Sequence, residues 1–150
     1  MPKRKDTKLE SEGAEFLVLG HLLIEGVHCY KAYVNFPGYD LTAVNPTTGK
    51  TAKIQVKSRW ATDYDMSFPL KNFNCHFVVH VALNRGNSFG KRATKIKPEA
   101  PIFYVLPIEE AKKALRESGG WSKVRLNKIQ KPELDFYKDK WQLIRDFLEN

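Results

Sequence analysis

No apolar run in this chain approaches the ~20 residues of a membrane-spanning helix. The first residues, MPKRKDTKLESEG, are basic and polar, without the apolar core of a secretory leader, so a cytoplasmic location is expected. Cysteine is scarce: Cys29 and Cys75 are the only two, which excludes a disulfide framework. There is no P-loop and no glycine-rich dinucleotide fingerprint, and so no sequence case for a nucleotide enzyme of either kind. Internal repeats and low-complexity tracts are also missing. Acid is short against base: 17 Asp and Glu face 25 Lys and Arg, a formal charge of +8. That balance favours an anionic partner, nucleic acid first. What is present is enough for a folded domain, since 42% of the 150 residues are apolar.

The positive charge is uneven. RGNSFGKRATKIKP, residues 85–98, holds five Lys or Arg and no acid. We read it as a nucleic-acid contact rather than a merely solvated loop. Residues 1–9 are expected to form a basic arm, and residues 10–150 a single domain.

SEGAEFLVLGHLLIE, residues 11–25, predicts a helix. Apolar residues at 16, 19 and 23, and at 17, 22 and 24, make a broad stripe; Ser11 or Thr7 would cap it and Gly26 would end it. VHCYKAYV (27–34), YDLTAVN (39–45) and TAKIQVKS (51–58) read as strands, the last two joined by a turn around PTTG. Residues 59–74 read as a polar-aromatic loop interrupted by Pro69. CHFVVHVAL (75–83) is a nearly continuous apolar run, as in a central strand covered on both faces. IFYVL (102–106) is a further strand, and Pro107 opens a helix through IEEAKKALRE that Gly119-Gly120 stops. Residues 121–132 fit no single element. LDFYKDKWQLIRDFLE (134–149) predicts one amphipathic helix burying Phe136, Trp141, Ile144 and Leu148. The fold class is α/β in the broad sense: a mixed sheet flanked by helices.

The hairpin at 39–58 carries the chemistry. Side chains alternate along a strand, so Lys53, Gln55 and Lys57 share one face and Ile54 and Val56 the other. A four-residue loop Pro46–Gly49 pairs Asn45 with Lys50, which sets Leu41 beside Ile54 and Asp40 beside Gln55, diagonal to Lys57. A loop one residue longer or shorter would bury the Asp40 carboxylate on the apolar face, at a cost on the order of several kcal/mol. An acid, an amide and an amine thus gather on one face. Taken alone that is an ordinary cross-strand ion pair. Glu15 alters the balance, because it lies within the apolar helix, at the edge of a core face that Phe16 and Leu19 are expected to form. Carboxylates in such places are paired or bind metal. Mg²⁺ takes oxygen ligands, one or two of them carboxylates. Asp40 and Glu15 would supply these and the Gln55 amide oxygen a neutral third, while Lys57 would orient the attacking water or stabilise charge on a scissile phosphate. On a basic protein this points to phosphodiester hydrolysis.

Helix-borne Glu15, then Asp40 at a strand start, then Gln55-Val56-Lys57 after a hairpin resemble the PD-(D/E)XK nuclease superfamily. The flanking SEGAEFLVLGHLLIEG and IQVKSR fit as well. The likeness is clear over residues 11–59, looser through FVVHVAL and IFYVLP, and weak beyond Gly120. Two features depart from the pattern: Pro37 is not adjacent to Asp40, and Gln55 stands where the last acid is usual. Size and the IQVK text are most similar to the intron-encoded homing endonucleases of cyanobacteria, with archaeal Holliday-junction resolvases and Mrr-like restriction enzymes second. The resemblance implies a restriction-endonuclease-like core and a DNA endonuclease dependent on Mg²⁺, for which Mn²⁺ would substitute. It also implies a homo-oligomer, dimer or tetramer, on double-stranded DNA, since cutting two strands needs two sites. The implied catalytic set is Glu15, Asp40, Gln55 and Lys57, with Glu15, Asp40 and Gln55 on the metal. The expected DNA contacts are Arg59, Arg85, Lys91, Arg92, Lys95 and Lys97. A resolvase or a restriction-type nuclease is an alternative, as is a catalytically inactive nucleic-acid-binding module.

Lesser signals are weaker. His28-Cys29 and Cys75-His76 have no zinc-module spacing. His21 reads as a structural histidine beside the core. Trp60, Tyr64, Phe68 and Phe73 would either stack on bases or pack as a folded-back loop.

Overall fold

A computed structural model of the chain describes residues 7–32, 39–62, 66–86, 96–118 and 121–150. Helix α1 spans Thr7–Ile24 and is closed by a turn in which Gly26 adopts φ 81°, a conformation that favours glycine. Strands β1 (His28–Lys31), β2 (Leu41–Val44), β3 (Thr51–Arg59), β5 (Phe77–Ala82) and β6 (Ile102–Pro107) form one sheet in the order β1-β2-β3-β5-β6. The β3–β5 pair is parallel and the other pairs are antiparallel. A second, antiparallel sheet has the order β4-β8-β7, from β4 (Ser67–Pro69), β7 (Leu115–Ser118) and β8 (Trp121–Arg125). Helices α2 (Ile108–Lys113), α3 (Lys131–Tyr137) and α4 (Gln142–Glu149) complete the fold.

Strand alternation divides the interior in two. Ile54, Val79, Val81, Phe103 and Val105 point to one side, where α1 supplies Ala14, Val18 and Leu22 and α4 supplies Ile144 and Leu148. Val78, Tyr104 and Leu106 point to the other, where Phe68, Val124, Ala111 and Leu134 cover them. Every residue of β5 is buried, as its continuous apolar text predicts. His21 lies beside the first core, stacked on Trp141 with ring centroids 5.5 Å apart.

Four expectations are corrected. Helix α1 begins at Thr7, and its core face is Ala14–Val18–Leu22; Phe16, expected inside, is 51% exposed. The loop expected at 59–74 contains β4, an edge strand of the second sheet, where Pro69 is tolerated. The helix expected to run to residue 117 stops at Lys113, because Leu115–Ser118 pairs with Trp121–Arg125 and closes the second core. The single C-terminal helix is two. Asp139 breaks it at φ 53°, its N–H donating to the Phe103 carbonyl at 2.9 Å, and Lys138 bridges Tyr104 on the open edge of β6. Consequently Trp141, Ile144 and Leu148 are buried as expected, but Phe136 is half exposed.

Candidate active site

The β2–β3 hairpin has the register that its sequence dictates. Leu41 pairs with Ile54 and Val44 with Thr51. The Asn45 N–H donates to the Lys50 carbonyl and the Gly49 N–H to the Asn45 carbonyl, each at 2.8 Å, with Gly49 at φ 77°. Asn45 Oδ1 also accepts the N–H groups of Thr47 and Thr48. Asp40 lies one residue before the ladder. Its N–H donates to the Ile54 carbonyl at 2.8 Å, and its Oδ2 accepts the Val56 N–H at 2.8 Å. The carboxylate thus becomes the partner of β3 where β2 begins, next to Gln55.

Burial dominates the electrostatics. It raises the Asp40 pKa, against the pull of the Val56 N–H, Lys57 and Lys31. It raises Glu15 to about 7, helped by the negative charge of Asp40 and opposed by Lys31. It lowers Lys57, with Asp40 acting in the opposite direction. Asp40 is therefore coupled to Glu15 on α1 and to Lys57 on β3 alike. Between Asp40 and Lys57 in register, Gln55 Oε1 is buried and has no hydrogen-bond partner among the described residues. Such an oxygen is costly unless something outside the protein occupies it.

Lys31 belongs to this cluster and escaped the sequence reading. Its side chain is 5% exposed; Nζ pairs with Glu12, lies 3.9 Å from Glu15 Oε1 and stands 4.3 Å from the Phe16 ring centroid. The signal was available. Alternation puts Lys31 on the same face as buried Cys29, which turns it toward the acids that α1 carries at 12 and 15.

The residues fit a hard divalent cation. Glu15, Asp40 and Gln55 offer only oxygen, burial pushes both acids toward their neutral forms, and one amide oxygen is left without a partner. Among the described residues no group of three His, Cys, Asp or Glu is placed to hold a metal. Cys29 and Cys75 are buried free thiols.

The expected DNA contacts divide. Arg59 Nε donates to the Ser67 carbonyl at 2.8 Å, tying β3 to β4. Arg85 and Lys97 are exposed on the two stems of the basic segment. The stems are clasped: Gly86 has φ 100°, and a Cβ there would lie 2.8 Å from the Ile96 carbonyl oxygen. The Gly86 N–H donates to Thr62 Oγ1 at 3.0 Å, anchoring the stem beyond the end of β3. Lys91, Arg92 and Lys95 lie outside the described residues. Of the loop aromatics, Phe68 is core, stacked on His80 with centroids 4.8 Å apart; Trp60 packs against the first core; Phe73 is partly exposed; Tyr64 lies outside the described residues.

No family model matches the chain, and no curated protein sequence matches it. Among solved structures, it is similar to the bacterial homing endonuclease I-Ssp6803I, with TM-score 0.62 and 21% identity over 96% of this chain and 92% of that one. It also matches Hjc, a Holliday junction resolvase from Archaeoglobus fulgidus, with TM-score 0.45 and 14% identity over 77% of this chain and 84% of that one. The first likeness establishes the fold alone: a mixed sheet flanked by helices, as in that nuclease. No described helix is long and apolar enough to cross a membrane.

Proposed function

We propose that the chain is a metal-dependent DNA endonuclease that hydrolyses phosphodiester bonds, acting on double-stranded DNA as a site-specific homing endonuclease in oligomeric form. The observation that carries this reading is the buried, unpartnered Gln55 Oε1 beside two acids that burial holds toward neutrality. A fold that only bound DNA would gain nothing from desolvated carboxylates near phosphate, which repel it. The similarity to a homing endonuclease over nearly the whole chain supports the same conclusion.

In this reading Asp40, Glu15 and Gln55 hold Mg²⁺, or Mn²⁺ in its place. When bound, the ion would polarise the scissile phosphate and lower the pKa of a coordinated water. The chain's own groups do the rest. The Val56 N–H fixes the Asp40 carboxylate in place. Lys57, desolvated by burial and beside Asp40, would orient the attacking water or stabilise charge on the scissile phosphate. Lys31 neutralises Glu12 and Glu15 while no other cation is present. The basic stem at Arg85 and Lys97 supplies phosphate contacts that set register without reading sequence.

The test is incubation of the purified chain with a plasmid library and with four-way junctions, in Mg²⁺ and in EDTA. Discrete Mg²⁺-dependent cuts in linear duplex support the proposal. Cuts confined to junctions would replace it with a resolvase. Binding without cleavage of any library member would replace it with an inactive module.

A further inference from the structure

Helix α1 is apolar on two opposite faces. Its inner face, Ala14, Val18 and Leu22, is fully buried. On the opposite side Leu9, Phe16, Leu23 and Ile24 are 72%, 51%, 52% and 84% exposed, and Leu17 between them is 39% exposed. A helix lining one core has a polar outer face, and one that is apolar all round is covered on both sides. These five are the majority of the eight large apolar side chains exposed among the described residues, so the patch belongs to this helix and not to the surface at large.

Three observations identify what covers it. The first is charge. From Leu9 to Ile24 the chain has no Lys or Arg, although it carries +8 overall, and Glu10 and Glu12 flank the patch. An apolar patch flanked by acids does not suit nucleic acid, and the cation set against it, the Lys31 ammonium on the Phe16 ring, is already paired with Glu12. The second is area. The five residues expose on the order of 500 Å², most of the ~800 Å² that each partner contributes to a standard interface.

The third is self-complementarity. Positions 9, 13, 16, 20 and 23 alternate spacings of four and three, the period of a helix–helix seam. Gly13 and Gly20 sit in that seam, with nothing within 4 Å of where a Cβ would stand. The order is symmetric about the midpoint of Phe16 and Leu17: Leu9 mirrors Ile24, and Gly13 mirrors Gly20. Two antiparallel copies would therefore set Gly13 against Gly20, Leu9 against Ile24 and Phe16 against Leu17, with Leu23 facing Glu10 at the rim of the contact.

We propose that two copies of this chain pair through the outer face of α1, antiparallel about a two-fold axis at Phe16–Leu17. The inference rests on the oligomeric endonuclease reading above, and supplies the surface on which the pair is built. It also places that surface beside the candidate site, because Phe16 carries the Lys31 ammonium on its ring and Lys31 in turn pairs with Glu12 and Glu15.

The experiment is sedimentation of the full chain in EDTA without DNA. Wild type should sediment at twice the 17.3 kDa chain mass, or a multiple of that pair. Gly20→Leu, which has open space in the single chain and favours helix, should halve the mass with an unchanged far-ultraviolet circular dichroism spectrum. Leu17→Cys, treated with oxidised glutathione, should cross-link two chains across the axis. A wild type at the mass of one chain, a Gly20→Leu variant of undiminished mass, or a Leu17→Cys variant that stays single would each overturn the proposal. The two readings fail separately: paired protein that cuts no DNA removes the endonuclease and keeps the interface, and single chains that cut DNA do the reverse.

Discussion

Glu15 and Glu110 are both helical carboxylates within reach of a lysine, yet they sit in opposite circumstances. Glu110, on α2, forms a 2.9 Å pair with Lys113 one turn along, at the surface. Glu15, on α1, lies 3.9 Å from a buried lysine of another element, under the influence of a second acid, and its pKa is pushed up to about 7. The half of the molecule around the second sheet places such acids in water. The half around the β2–β3 hairpin keeps Glu15, Asp40 and Lys57 desolvated and leaves an amide oxygen without a partner. Desolvated titratable groups of both signs beside an unpartnered amide oxygen are the pattern that marks a candidate functional site.

The comparison can be broken at several levels. The largest expected effect is on chemistry: Asp40→Asn should lower the cleavage rate by at least ~10²-fold while DNA binding, read by gel shift, persists. Next is the structural half. Phe68→Ala should cost about 3–5 kcal/mol in denaturant unfolding, because Phe68 fills the second core against His80. Third is pH. The raised pKa of Glu15 means that the folded state holds its proton more tightly than the unfolded chain. Its contribution to metal-free stability is therefore complete below about 4.5 and lost as pH rises through about 7. Mg²⁺ affinity, followed by calorimetry, should move the opposite way and rise across the same window, since the carboxylate must be ionised to bind. The smallest effect is on the exposed α2 pair: Lys112→Ala, which removes the contact to Glu109, should change stability by only ~0–0.5 kcal/mol.

Much of the site-bearing half was legible in the sequence because each cue there is local. The turn around Asn45–Gly49 fixes the hairpin register, the register puts Asp40 beside Gln55, and the alternation in β3 separates Ile54 from Lys57. The second sheet was not legible, because its strands borrow their conformation from distant partners. Ala-Leu-Arg-Glu at 114–117 are good helix formers, yet Leu115 and its neighbours pair with β8. Phe68 next to Pro69 suggests a loop until β8 supplies the strand that makes Pro69 an edge residue. Lys138–Asp139 bends away from a helical pattern to close the open edge of β6. The outer face of α1 misled for a different reason: apolar residues on both sides of a helix do not reveal which side meets its own core, and Phe16 was assigned to the wrong one.

The most direct test is to measure cleavage of a cut duplex target by wild type and by Asp40→Asn, each in Mg²⁺ and in EDTA, with DNA binding followed in parallel. The account predicts cuts by wild type in Mg²⁺ alone and binding without cuts by the variant. Full cleavage by Asp40→Asn, or cleavage by wild type in EDTA, would contradict it.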